Sequence, residues 1–132
     1  LSGNPLAMSA GLAQLSALDQ HPEYYVELEE KTAYLEKRLR LLLNEKGIDH
    51  DMHRVGSMIS IFFTNETVTD YRTANTTDKE FFRVFFHEML QRGVYLPPSP
   101  FESWFLSKSL TYEMLDKTIR AADEALGIAM LK

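Results

Sequence analysis

Two short stretches of this chain carry residues whose types and spacing invite chemistry. The first is the loop Pro97-Pro98-Ser99-Pro100-Phe101-Glu102, three prolines followed by a carboxylate. Proline fixes φ and lacks an N–H, so most of this loop cannot join a ladder and stays stiff. A stiff loop holds Glu102 at a fixed point with little further ordering on binding, although a solvated loop acid is the plainer reading of the same residues. The second stretch is Leu1-Ser2-Gly3-Asn4-Pro5-Leu6-Ala7-Met8. Asn4 is a good N-cap, Pro5 at the first helical position loses no hydrogen bond, and Gly3 lets the backbone approach something bulky. Amides gathered at a helix start suit an anion, commonly a phosphate; an ordinary capped helix after a glycine turn accounts for the pattern too. Asp49, His50, Asp51 and His53 crowd a short run, yet the two histidines differ by an odd step, face opposite ways on a strand, and match no tetrahedral zinc spacing. No metal site is expected. His87-Glu88 reads as the polar edge of a helix, and no Ser-His-Asp order or nucleotide loop is present.

The elements that must position these residues are legible in outline. Leu6, Ala7, Ala10, Ala13, Leu15 and Leu18 make a first helix from Pro5 to Leu18, rich in small residues and apolar on several sides, which implies burial against something larger. Pro22 opens a second helix with glutamates early and Lys37, Arg38, Arg40 and Lys46 late, in the sense that suits the macrodipole. Its stripe Tyr24, Leu28, Leu35, Leu39, Leu42, Leu43 faces a core, the pairs Glu27–Lys31 and Glu36–Arg40 lie on the wet side, and Gly47 ends it. Strands are expected at Asp51 to Val55 and Ser57 to Thr64 about Gly56, with Asn65 to Thr77 as a loop. Thr77 and Glu80 make a capping box for the phenylalanine-rich helix Phe81 to Leu90, whose rings are core rather than a binding site. After Gly93 come short strands at Val94 to Leu96 and Ser103 to Ser107, then a helix from Thr111 to Leu126 stopped by Gly127. This order predicts an α+β fold: a two-layer sandwich, its small sheet mostly antiparallel with helices on one face, preceded by a long helix.

Composition bounds the function. At 132 residues with 45% hydrophobic content the chain fills about one core. A net charge of −5 without a lysine or arginine stripe argues against nucleic acid as a partner. There is no cysteine, hence no disulfide framework. No apolar run approaches the roughly 20 residues of a membrane span and no signal peptide precedes the first helix, so a cytoplasmic location without membrane contact is expected.

Leu1 to Met8 is similar to the segment of class III, fold type I pyridoxal-phosphate enzymes that follows a Gly-Thr touching the cofactor phosphate. Arg54-Val55-Gly56-Ser57-Met58, Phe62-Phe63-Thr64, Val68-Thr69-Asp70-Tyr71, Leu96, Pro98-Ser99 and Phe101-Glu102 resemble the same family in its glutamate-1-semialdehyde aminomutase branch. The resemblance covers nearly the whole chain and implies the C-terminal portion of such an enzyme. Residues 1–20 would be the interdomain turn and linking helix, and residues 21–132 the small domain. It implies an amino group moved from C2 to C1 of glutamate-1-semialdehyde to give 5-aminolevulinate for tetrapyrroles, by a homodimer using pyridoxal 5'-phosphate. It places Glu102 in the active site, against an ammonium of the diamine intermediate, and Ser2 and Gly3 near the cofactor phosphate of the neighbouring subunit. Departures are Pro100 where the family usually has Gln, Ser103-Trp104 for a small residue and glycine, and Ser109-Leu110-Thr111 for Ala-His-Thr. None of the seven lysines precedes a glycine-rich run like that around the family's cofactor lysine. No catalytic residue is therefore expected in these 132 residues, which alone should be inactive. The alternatives are another class III aminotransferase, favoured by an arginine poised for a substrate carboxylate, and a non-catalytic binding or dimerisation module.

Overall fold

A computed structural model describes residues 3–131 of the chain. Asn4 caps the first helix, α1 (Pro5–Gln20), its side chain accepting from the Leu6 and Ala7 amides at 3.0 and 3.2 Å. None of its residues is buried. Leu6, Met8, Leu12 and Leu15 stand between 64% and 79% exposed, so most of the apolar surface read from the sequence is uncovered among the described residues, with Leu18 partly buried.

α2 (Glu23–Glu45) follows, presenting Leu35, Leu39 and Leu43 to the core at i, i+4, i+8 spacing. It stops at Gly47, whose φ of 66° lets the Ile48 amide return to the Leu43 carbonyl. The hairpin β1 (Asp51–Val55) and β2 (Met58–Phe62) pairs antiparallel about the two-residue turn Gly56-Ser57. Positive φ at Gly56 gives that turn the hand the strand twist needs. Alternation sends Met52, Ile59 and Ile61 inward and leaves His53, Val55, Ser60 and Phe62 on the other face. A short helix, α3 (Tyr71–Ala74), precedes α4 (Lys79–Gln91), the two-residue strand β3 (Trp104–Phe105) and α5 (Tyr112–Ala129). The sheet order is β1-β2-β3, antiparallel throughout, with α2, α4 and α5 on one face. Leu35, Ile59, Phe85, Met89 and Ala122 lie at its centre, and the Phe63 ring lies tilted against Phe81 and edge-on to Phe85. The α+β sandwich expected from the sequence is the observed fold, and the phenylalanines are core.

Several local expectations are corrected. Val94 to Leu96 is not a strand: the Val94 amide returns to Met89, and Pro97-Pro98 next to it bring no donors to a ladder. β3 is correspondingly reduced from Ser103–Ser107 to two residues. The loop at 65–77 contains α3, built by a capping box in which Asp70 accepts from the Thr73 amide and the Thr73 hydroxyl accepts from the Asp70 amide. Asp78, not Thr77, caps α4, because the Thr77 hydroxyl is drawn into the fold, accepting from the buried Phe63 amide at 2.9 Å. α5 runs through Gly127 to Ala129, since Ala125, Leu126 and Ala129 continue its buried stripe and packing outweighs the roughly 1 kcal/mol penalty of a helical glycine. Lys31, placed on the wet side by its ion pair, is 6% exposed; its ammonium donates to Glu27 at 2.6 Å and to the Lys108 carbonyl at 2.9 Å.

Candidate functional site

The proline loop ends at Glu102, and the chain on either side of it is anchored. The Ser99 carbonyl accepts from the Glu102 amide at 3.2 Å, closing a tight turn, and the Ser99 hydroxyl accepts from the Phe101 amide. Upstream, the Phe101 ring lies 6.2 Å from that of Tyr71, with the Lys79 ammonium 5.6 Å from its centroid. Downstream, Ser103 shares a 2.7 Å hydrogen bond with Ser60 of β2, Trp104 is buried in the core, and the Leu106 amide donates to the Ser57 carbonyl. The Glu102 carboxylate itself is exposed, with no side-chain hydrogen bond or ion pair among the described residues. A fixed backbone carrying a free carboxylate is suited to receiving a cation from outside this chain.

Beside it an apolar cleft of about 620 Å³ opens between the 93–97 segment, β3 and α5. Leu35, Val94, Trp104 and Leu115 line it. Two of its hydroxyls are engaged, Ser103 with Ser60 and Thr118 with the Met114 carbonyl.

The N-terminal turn offers less to an anion than its sequence implied. Gly3 has φ 82° and open space around its α-carbon, but the Asn4 side chain already takes the Leu6 and Ala7 amides and Pro5 has none. What the cap leaves is the backbone of Gly3 and Asn4. Ser2, the other residue expected at a phosphate, lies outside the described residues.

Four lysines have partners in the fold. Besides Lys31, Lys46 pairs with Asp123 at 2.7 Å, Lys79 donates to Asn75, and Lys108 sits 4.3 Å from the Tyr24 ring centroid. The arginines weighed as carboxylate receptors are engaged as well. Arg54 binds Glu29 and Glu36, Arg83 binds Glu80, and Arg92 joins Glu88 at 2.7 Å to Glu124 at 2.8 Å. Burial pushes the Glu36 carboxyl up, but its bonds from Arg40 and Arg54 reverse that and hold it below the usual range. Asp51 behaves alike: burial raises it, and the Val68 amide with His53 lowers it further than burial raises it. His53 is thus an exposed partner of Asp51, and His50 bonds the Ile48 carbonyl.

No protein-family model matches the chain. Curated relatives do. Glutamate-1-semialdehyde 2,1-aminomutases from Flavobacterium psychrophilum and Thermus thermophilus are each 52% identical to it, over 124 and 126 residues, 94% and 96% of the chain. The chain is a homologue of the C-terminal region of these aminomutases. It spans about 29% and 30% of their lengths. A solved structure described as a transaminase with PLP bound superposes with a TM-score of 0.78 over 97% of this chain and 28% of that one, at 21% identity. The fold is accordingly that of the C-terminal domain of fold type I enzymes.

The loop bearing Glu102 is held by the Ser99 turn on one side and the Ser60–Ser103 bond on the other. The Ser60–Ser103 bond was missed, because its partners lie 43 residues apart and carry no local pattern. The signal available was alternation, which puts Ser60 and Ser103 on the sheet face opposite Ile59 and Trp104.

Proposed function

We propose that the chain works as the small C-terminal domain, residues 21–132, of a glutamate-1-semialdehyde 2,1-aminomutase, with residues 1–20 as the interdomain turn and linking helix. The whole enzyme would act in the cytoplasm as a homodimer, turning glutamate-1-semialdehyde into 5-aminolevulinate. The observation that carries this reading is the 52% identity to aminomutases over 94% of the chain. Pyridoxal 5'-phosphate, when bound, supplies the electron sink that lets an amino group leave one carbon and return to its neighbour. The lysine that would hold it is not among these residues. Here Gly3, with Ser2, would lie along the phosphate of the neighbouring subunit's cofactor.

Glu102 has the role that decides an aminomutase. Amino transfer within one substrate passes through a diamine that must stay bound until nitrogen is handed back, and a fixed carboxylate holds an ammonium by a charge-assisted hydrogen bond. The ion-paired state of Arg54, Arg83 and Arg92 favours this over an aminotransferase that uses a domain arginine for a second carboxylate substrate. The test is Glu102→Gln in the full-length enzyme, fed glutamate-1-semialdehyde. Release of diaminovalerate per 5-aminolevulinate formed should rise about tenfold or more, the effect of losing one charge-assisted bond. A ratio equal to wild type would count against the role.

A further inference from the structure

We infer that Ser60 and Ser103 are positioning residues for Glu102: their shared hydrogen bond pins the loop to β2 one residue beyond the carboxylate. The inference deepens the proposed role of Glu102 and rests on it. Three observations point the same way. The bond is short, 2.7 Å between the two oxygens, and both serines are half-buried on the open face of the sheet. It continues the β2–β3 pairing, in which Ile59 opposes Trp104 and Met58 opposes Phe105, by one position, to the residue directly after Glu102. β3 is only two residues long, so this side-chain bond extends what is otherwise a very short attachment of the loop's downstream end to the sheet. Upstream, the attachment is a looser one of ring contacts between Phe101, Tyr71 and Lys79, and the prolines cannot contribute donors. Without the serine pair the backbone at Glu102 would be tied to the sheet only from Trp104 onward, leaving the local Ser99 turn as its remaining hydrogen-bonded restraint. A carboxylate that must meet one ammonium within hydrogen-bonding reach is sensitive to a shift of about 1 Å. Ser103 also lines the apolar cleft, and Ser103→Ala removes one heavy atom without adding bulk.

The experiment uses the full-length enzyme and compares Ser60→Ala, Ser103→Ala and Ser103→Thr, each alone and each combined with Glu102→Gln. The readout is the ratio of diaminovalerate released to 5-aminolevulinate formed, with melting temperature recorded for every variant. Each alanine should raise the ratio about fivefold, the factor that one neutral hydrogen bond represents, while Ser103→Thr, which keeps the hydroxyl, stays near wild type. In the Glu102→Gln background the alanines should add nothing, because there is no carboxylate left to place. Because Ser60 and Ser103 reach the same bond from opposite sides, folding of either alanine variant suffices. If Glu102→Gln raises the ratio and the alanines do not, or if they raise it equally in both backgrounds, the positioning role is wrong. If Glu102→Gln itself leaves the ratio unchanged, the role of Glu102 fails and this inference falls with it.

Discussion

α1 and α5 are both alanine-rich helices, 16 and 18 residues long, and they end in opposite situations. α5 buries Leu115, Ile119, Ala121, Ala122, Ala125, Leu126 and Ala129, whereas α1 buries nothing. Composition does not separate them; arrangement does. In α5 the small residues gather with Leu and Ile into one stripe, and the alanines let α4 approach closely on that side. In α1 apolar residues are spread around the cylinder, so no single face is assigned to this chain's core. Asn4 and Pro5 cap the helix locally, and none of its residues is buried among the described residues.

The contrast is broken most severely at Leu126 on α5, 1% exposed. Leu126→Ala should destabilise the chain by about 2–5 kcal/mol, read from urea unfolding, while Leu12→Ala on α1 should change stability by less than about 0.5 kcal/mol. Equal effects would mean α1 packs on the body. Next is acid. Glu36 and Asp51 tie α2, β1 and the 63–70 loop together and bind their protons more weakly folded than unfolded. Their contribution is therefore whole above the ordinary carboxylate range of about pH 4 and is lost as pH falls through their lowered folded values. Melting temperature should drop on acidification below about pH 4, and Glu36→Gln should flatten part of that slope; an unaltered slope would remove Glu36 from the account. The smallest effect belongs to the cap. Asn4→Ala should fray α1 by about 1 kcal/mol, visible as faster amide exchange at Leu6 and Ala7, with the melting temperature of the body unchanged. A fall in that temperature would show α1 coupled to the core.

Where a sequence signal and its structural consequence are local, they agree: the glycine stops at Gly47 and Gly93, the inward alternation of Ile59 and Ile61, and the phenylalanine helix all lie where periodicity put them. Misreadings arose where two local signals competed and a distant partner chose between them. Thr77 and Asp78 are both competent caps, and the choice was made by the Phe63 amide 14 residues away. Gly127 is a competent stop, overridden by burial of Ala129. Lys31 satisfied the rule for a surface ion pair and was buried by the Lys108 carbonyl 77 residues on. At the candidate site the prolines marked a stiff loop but left Glu102 a plain solvated acid until the family resemblance singled it out, whereas the serine pair beside it exists only once β2 and β3 are in register.

The brevity of β3 bears on how such a chain behaves in solution. A free sheet edge recruits further strands when it is long, flat and rich in unpaired amides. Here that edge is two residues wide, flanked upstream by three prolines within seven positions, and at the opposite border the Arg40 guanidinium occupies the Met52 carbonyl. Even with Val55 and Phe105 uncovered on the open face, the β3 margin is too short and proline-flanked to template a further strand, and at the β1 margin Arg40 blocks one of its carbonyls.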